Sequence, residues 1–214
     1  MSTMTETLKE EALFIPSEDR TTTDRQKYTP KVAGDYLGHM TDTRTTVTEW
    51  TDKKTGNTFK ARIYNFKVKV APENHTQSYT HTRDGQNHTH TGEAYVDWKV
   101  VGDGVFRFLE PGEGDTFTSN STGNDRYLRF CQALGVDIET TTREVNGKTV
   151  EVQLLPTLTT DDVDGRPVTA VVNRHREDWI NDEGKSMPQW RCKFIKTWRD
   201  GKRLTGTTTH ELPL

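Results

Sequence analysis

The sequence predicts a mainly β fold, an antiparallel barrel or sandwich with one short helix and long loops. Three observations carry this. Runs rich in β-branched and aromatic residues recur along the chain, separated by turn residues. Only one segment, Asp125 to Gly135, has the i, i+3, i+4, i+7 spacing of an amphipathic helix. Strands do not alternate with helices, as a parallel sheet would require.

The elements follow in order. The first stretch, 1–31, is rich in Thr, Glu, Asp and Lys and reads as a mobile arm. Its apolar patch, Leu13-Phe14-Ile15, could dock on the body or on a partner. The body, 32–203, opens at Val32-Ala-Gly-Asp-Tyr-Leu37. Thr43–Trp50 and Thr58–Val70 flank Lys53-Lys-Thr-Gly-Asn57, a hairpin pattern. In the second strand Tyr64, Phe66, Val68 and Val70 share one face, and Ile63, Asn65, Lys67 and Lys69 the other. That alternation puts one side in a core and one in water.

From Ala71 to Gly92 no strand or helix pattern is expected, only a long loop holding His75, His81, His88 and His90. Pairing resumes with a strand Glu93–Val101, a Gly102-Asp-Gly104 turn and a strand Val105–Leu109. The helix then buries Tyr127, Phe130, Cys131 and Leu134 and stops at Gly135, where φ > 0 is wanted. Thr142–Val145 and Lys148–Leu155 surround Asn146-Gly147, a strong short hairpin turn. A last pair of strands, Pro167–Arg176 and Gln189–Trp198, is joined by the polar turn Ile180–Lys185. In the final strand Trp190, Cys192, Phe194 and Trp198 are expected on one side, and Arg191, Lys193 and Thr197 on the other together with Ile195. Residues 204–214 form a tail.

Composition narrows the function. The 214 residues are only 30% hydrophobic and carry a net charge of −3. The mean hydropathy is −0.88, so a modest core with solvated loops is expected. An acidic chain has no global attraction for phosphate, and any nucleic-acid role must rest on a local basic face. Cys131 and Cys192 sit in apolar settings and read as reduced core thiols. No secretory leader or membrane span is evident, so a soluble protein of the cytoplasm is expected, with no membrane partner.

Motifs for chemistry are sparse. His88-Thr-His90 is an H-x-H step, but it lacks a cysteine, an H-E-x-x-H pattern or an apparent rigid element, and no metal or other cofactor is expected. There is no G-x-S-x-G, no thiolate-favouring cysteine and no phosphate-cradling glycine loop. Asp161-Asp-Val-Asp164 reads as a turn without the loop pattern of an EF-hand. A non-enzymatic role is therefore expected. What remains is a concentration of cations on the strands. Arg174 and Arg176 extend the row of Val168, Ala170 and Val172, Arg191 and Lys193 alternate on the last strand, and Lys67 and Lys69 on the earlier one. Single strands are bound by such cationic grooves together with aromatics on which bases stack. The plainer account is an ordinary solvent-side row on an antiparallel sheet.

The order of features, with the segments Arg126–Val136 and Val163–Val172, resembles a phage-type family of replication and recombination accessory proteins, largely uncharacterised and thought to bind single-stranded DNA. The resemblance implies an OB-like antiparallel β-barrel. With it, Lys67, Lys69, Arg174, Arg176, Arg191 and Lys193 are the expected phosphate contacts, and Tyr79, Tyr95 and Trp179 the stacking candidates. The expected partner is single-stranded DNA, bound with little sequence preference in the host cytoplasm. The alternative is a phage structural or interaction protein, a β-sandwich assembling with itself or with replication or virion proteins. The threonine content, acidic charge and Leu13–Ile15 patch suit that alternative equally well.

Overall fold

A computed structural model describes residues 29–51, 53–54, 56, 58–109, 124–145 and 147–204. The Leu13–Ile15 patch and the tail beyond Leu204 lie outside the described residues. All described strands and helices belong to the unit Val32–Leu214. The protein is mainly β, 54% strand against 14% helical, with two helices among the described residues where the sequence led us to expect one.

Strand β1 (Gly34–Thr51) is continuous where two separate segments were expected. Residues 34–39 pair with β9 (Pro167–Arg174) and residues 38–51 with β2 (Thr58–Val70), both antiparallel, so Gly38 and His39 lie between the two partners. A bulge between Thr41 and Arg44 shifts the register against β2, and Asp42 there adopts φ 53°. The bulge turns Thr43 inward, where its hydroxyl donates to Asp164 Oδ1 at 2.5 Å. In β2 the expected alternation holds: Tyr64, Phe66, Val68 and Val70 are buried and Asn65 and Lys69 are exposed.

The segment 71–92, expected to be structureless, is ordered. Pro72–Thr76 forms a 3-10 turn, and β3 (Ser78–Arg83) pairs with β4 (Gln86–Thr91) in a hairpin. At its tip Asp84 and Gly85 have φ of 52° and 74°, the left-handed pair that a two-residue hairpin turn demands. Asn74 ties the segment to the body. It is fully buried, its Oδ1 accepts from Leu37 N and from the Tyr79 hydroxyl, and its amide donates to Gly92 O. Asn74→Ala would remove the side-chain partner of Leu37 N and Gly92 O and should cost about 1–3 kcal/mol, measurable by urea unfolding.

The expected strand Glu93–Val101 is a 3-10 turn (Gly92–Tyr95) followed by a shorter β5 (Lys99–Gly102). Nor does Gly102-Asp-Gly104 close a hairpin. Both β5 and β6 (Val105–Leu109) run antiparallel to β2, one after the other, Lys99–Val101 beside Lys67–Lys69 and Val105–Leu109 beside Lys60–Tyr64. The glycines make a jog between them: Gly104 has φ 75°, and a Cβ on Gly102 would lie 2.5 Å from the Phe66 ring.

Helix α1 (Asp125–Ala133) buries Tyr127, Phe130 and Cys131, with Leu134 just beyond, and Gly135 ends it at φ 68°. Beyond it, β7 (Glu139–Val145) and β8 (Lys148–Leu154) form the expected hairpin. Helix α2 (Thr160–Val163) is a single turn fixed by a capping box between Thr159 and Asp162. It occupies the acidic stretch that had read as a simple turn. The segment after β9 carries a small hairpin, β10 (Trp179–Ile180) with β11 (Ser186–Met187).

The last strand, β12 (Trp190–Thr197), pairs antiparallel with β9 and, through Arg191 and Cys192, parallel with β5. The pairings thus run β1–β9–β12–β5–β2 and return to β1. A bulge at Lys193 shifts the alternation of β12 by one, so Ile195 is buried while Phe194 is 49% exposed. This corrects the expected grouping of Phe194 with Cys192. Both cysteines are free and buried, and burial pushes the Cys131 thiol up to about 11 and that of Cys192 up to about 12.

Candidate nucleic-acid interface

Residues directly opposite in a ladder put their side chains on the same face. Along the outward face of β2 this places Phe59 beside Trp50, Ala61 beside Phe108, and Ile63 beside Phe106. Their rings meet. Trp50 lies 5.9 Å from Phe59, 5.8 Å from Phe108 and 6.4 Å from Phe106, and the two phenylalanines of β6 are 6.5 Å apart. Trp50, Phe59 and Phe106 each keep 37% of their surface exposed, while Ala61 in the same row is fully buried. An aromatic platform therefore covers one end of the strand.

Further along the same face the side chains become cationic. Lys67 is opposite Val101, and Val101 is opposite Arg191; Lys69 is opposite Lys99. Here Asp42 bridges Lys67 at 3.1 Å and Lys99 at 3.6 Å, and Asp97 lies 2.8 Å from Lys69. The hydrogen bond from Lys67 holds the Asp42 carboxyl below the usual carboxylate range. Lys193, at the bulge of β12, reaches Asp103 at 2.9 Å. Four lysines (Lys67, Lys69, Lys99, Lys193) thus meet three carboxylates (Asp42, Asp97, Asp103), while the Arg191 guanidinium donates to Gln189 Oε1 at 3.2 Å. Partly exposed pairs of this kind are worth little, about 0–1 kcal/mol, and leave the lysines able to exchange a carboxylate for a phosphate.

The expected site residues divide accordingly. Lys67, Lys69 and Arg191 share one face across neighbouring strands, and Lys193 adjoins them at the jog between β5 and β6. Arg174 stands at the end of β9 opposite Trp190, its Nη2 held by both oxygens of Asp178, and Arg176 is exposed in the following connection. Neither belongs to that row. Trp179 is 46% exposed opposite Met187 on the separate β10–β11 hairpin.

Tyr79 and Tyr95 are core residues, which removes them as stacking platforms. They are 5% and 1% exposed, and Tyr79 stacks on Tyr36 at 4.2 Å while its hydroxyl contacts Asp35 O at 2.7 Å. No base could reach either ring face. The aromatics that are available, Trp50, Phe59, Phe106 and Phe108, were missed in the sequence, and so was Lys99. The position of Trp50 and Phe59 on the two sides of the Lys53–Asn57 turn and the alternation in Val105-Phe-Arg-Phe-Leu109 could have revealed them.

Among the described residues no three histidine, cysteine or acidic side chains form a metal-binding group, and no helix is long and apolar enough to cross a membrane. Comparison with protein-family models, curated proteins and solved structures finds no match for this chain.

Proposed function

We propose that this chain is a non-enzymatic single-stranded DNA-binding protein with an OB-like barrel, acting in phage-type replication or recombination in the host cytoplasm. The observation that carries the reading is the continuity of the aromatic platform with the lysine row on one face of β2. From Phe59 to Lys69, at ~3.3 Å per residue, that face is roughly 33 Å long, room for several nucleotides. Stacking on rings with cations alongside is how single strands are held without reading base edges. The barrel reading is supported by the return of the pairings to β1.

Binding of a labelled oligo-dT should weaken steeply with salt. Each phosphate contact contributes about −0.7 to the slope of log K against log salt, so three or four lysine and arginine contacts give a slope of roughly −2 to −3. Fluorescence anisotropy between low and physiological salt checks this. No binding at low salt would reject the reading, as would equal affinity for duplex DNA.

The exposed rings of Trp50, Phe59 and Phe106 are also the observation that favours the second reading, association of copies of this chain or with a replication or virion protein. Sedimentation of the free protein separates the two. A stable oligomer that dissociates on changing Trp50, in a protein that ignores DNA, would establish the second.

A further inference from the structure

We propose that the β3–β4 hairpin is an acid-sensitive arm, its outer half closed by a stack of three imidazoles and opened when a proton enters that stack. His81 lies directly opposite His88, and His90 is two residues further along β4 opposite Tyr79, so all three share one face. The rings are stacked: His81 is 5.5 Å from His88 at 28° and 5.2 Å from His90 at 13°. His81 Nδ1 and His90 Nε2 are buried and have no hydrogen-bond partner among the described residues. A proton placed there would be a desolvated charge without an acceptor, beside two further imidazoles.

Burial, then His90, His88 and Arg83, hold the His81 pKa below the ordinary histidine value. The groups that face it are basic or neutral, and the Asp84 carboxylate at the tip pairs with Arg83 at 3.5 Å. On β3 these are Arg83 and Tyr79, on β4 His88 and His90. From the adjoining 3-10 turn Tyr95 packs edge-on against His90 at 6.5 Å. Burial raises both tyrosine hydroxyls, which keeps them neutral. Three donor groups do not cluster for a metal among the described residues, and the ligand this geometry admits is the proton.

The sign follows from linkage. A base with a depressed pKa in the closed form binds protons more readily when open. Closure is therefore favoured above the ordinary histidine value of about 6.5 and is lost as pH falls below it. Beyond the backbone ladder little else holds the outer half, since Tyr79 is the only buried side chain of the hairpin and the cross-strand side-chain ties are hydroxyl bonds such as Thr80 to Thr89 at 2.9 Å. The root stays fixed through Tyr79, which is bonded to Asp35 and Asn74.

Amide hydrogen exchange of the full chain at pH 7.5 and 5.0, corrected for intrinsic rates, tests this. Protection across 80–82 and 87–89 should fall at least tenfold at the lower pH while β2 is unchanged. The change should disappear in a His81→Gln, His90→Gln double variant. Equal protection at both pH values overturns the proposal, as does the same loss in the double variant. If that variant fails to fold, an NMR titration of the parent decides: His81 must titrate below the ordinary histidine value, and titration at or above it overturns the proposal.

Discussion

Replacing Trp50 and Phe106 together by Ala should remove most of the affinity for single-stranded DNA. Stacking of a base on an aromatic ring is worth ~1–3 kcal/mol. Two lost platforms then amount to ~2–6 kcal/mol, and at about 1.4 kcal/mol per factor of ten the dissociation constant should rise at least about thirtyfold. The salt slope should barely change, because no phosphate contact is removed. Lys67→Ala with Lys69→Ala is the complementary experiment: a shallower slope and a smaller loss at physiological salt. Anisotropy titrations of the parent and both variants at several salt concentrations give all of these quantities. A Trp50, Phe106 variant that is folded and binds oligo-dT as tightly as the parent would show that the platform does not hold bases. Loss of an oligomer in that same variant would instead transfer the platform to a protein partner.

The rows of this face were half legible in the sequence. Period-2 alternation in Tyr64–Val70 is a local property, and it correctly sent Lys67 and Lys69 outward. The helix face of Tyr127, Phe130, Cys131 and Leu134 was legible for the same reason. What failed depends on partners distant in sequence. Whether Gly102-Asp-Gly104 reverses the chain or only bends it is decided by β2, which holds both flanks in line, with β12 pairing the β5 flank from the other side. Bulges are equally hidden. Thr41–Arg44 and Lys193 look like ordinary strand residues, yet they redirect Thr43 inward and Phe194 outward. Tyr79 read as a loop aromatic because the surrounding Thr, His and Asn residues conceal a hairpin whose Asp84-Gly85 turn was in plain view, and Tyr95 read as the edge of a strand that is in fact a 3-10 turn. The ladder of that hairpin is built on hydroxyls and imidazoles, so hydrophobic periodicity does not mark it.

Phe130→Ala should be the most damaging single core substitution on the helix, at about 3–5 kcal/mol. The ring is 3% exposed and lies 5.6 Å from Phe66, 6.1 Å from Tyr64 and 6.2 Å from Tyr127, so α1 meets the inward face of β2 through it. Those neighbours are not free to collapse into the space it leaves. The Tyr127 hydroxyl is held at 2.6 Å from Pro156 O and that of Tyr64 accepts from Leu158 N at 3.2 Å, so both rings are anchored at their far ends. A cavity that cannot close costs its full volume as well as the lost transfer energy, which places the substitution near the upper part of the range. For a body of this size about 1 kcal/mol corresponds to roughly 2–4 °C, so the melting temperature should drop by about 10 °C. Arg129→Ala, at an exposed position of the same helix, should stay within about 0.5 kcal/mol and controls for helix propensity. Urea unfolding followed by circular dichroism reads both. A Phe130→Ala loss under about 1 kcal/mol would mean that α1 does not anchor this core, and that the inward face of β2 is closed by other residues.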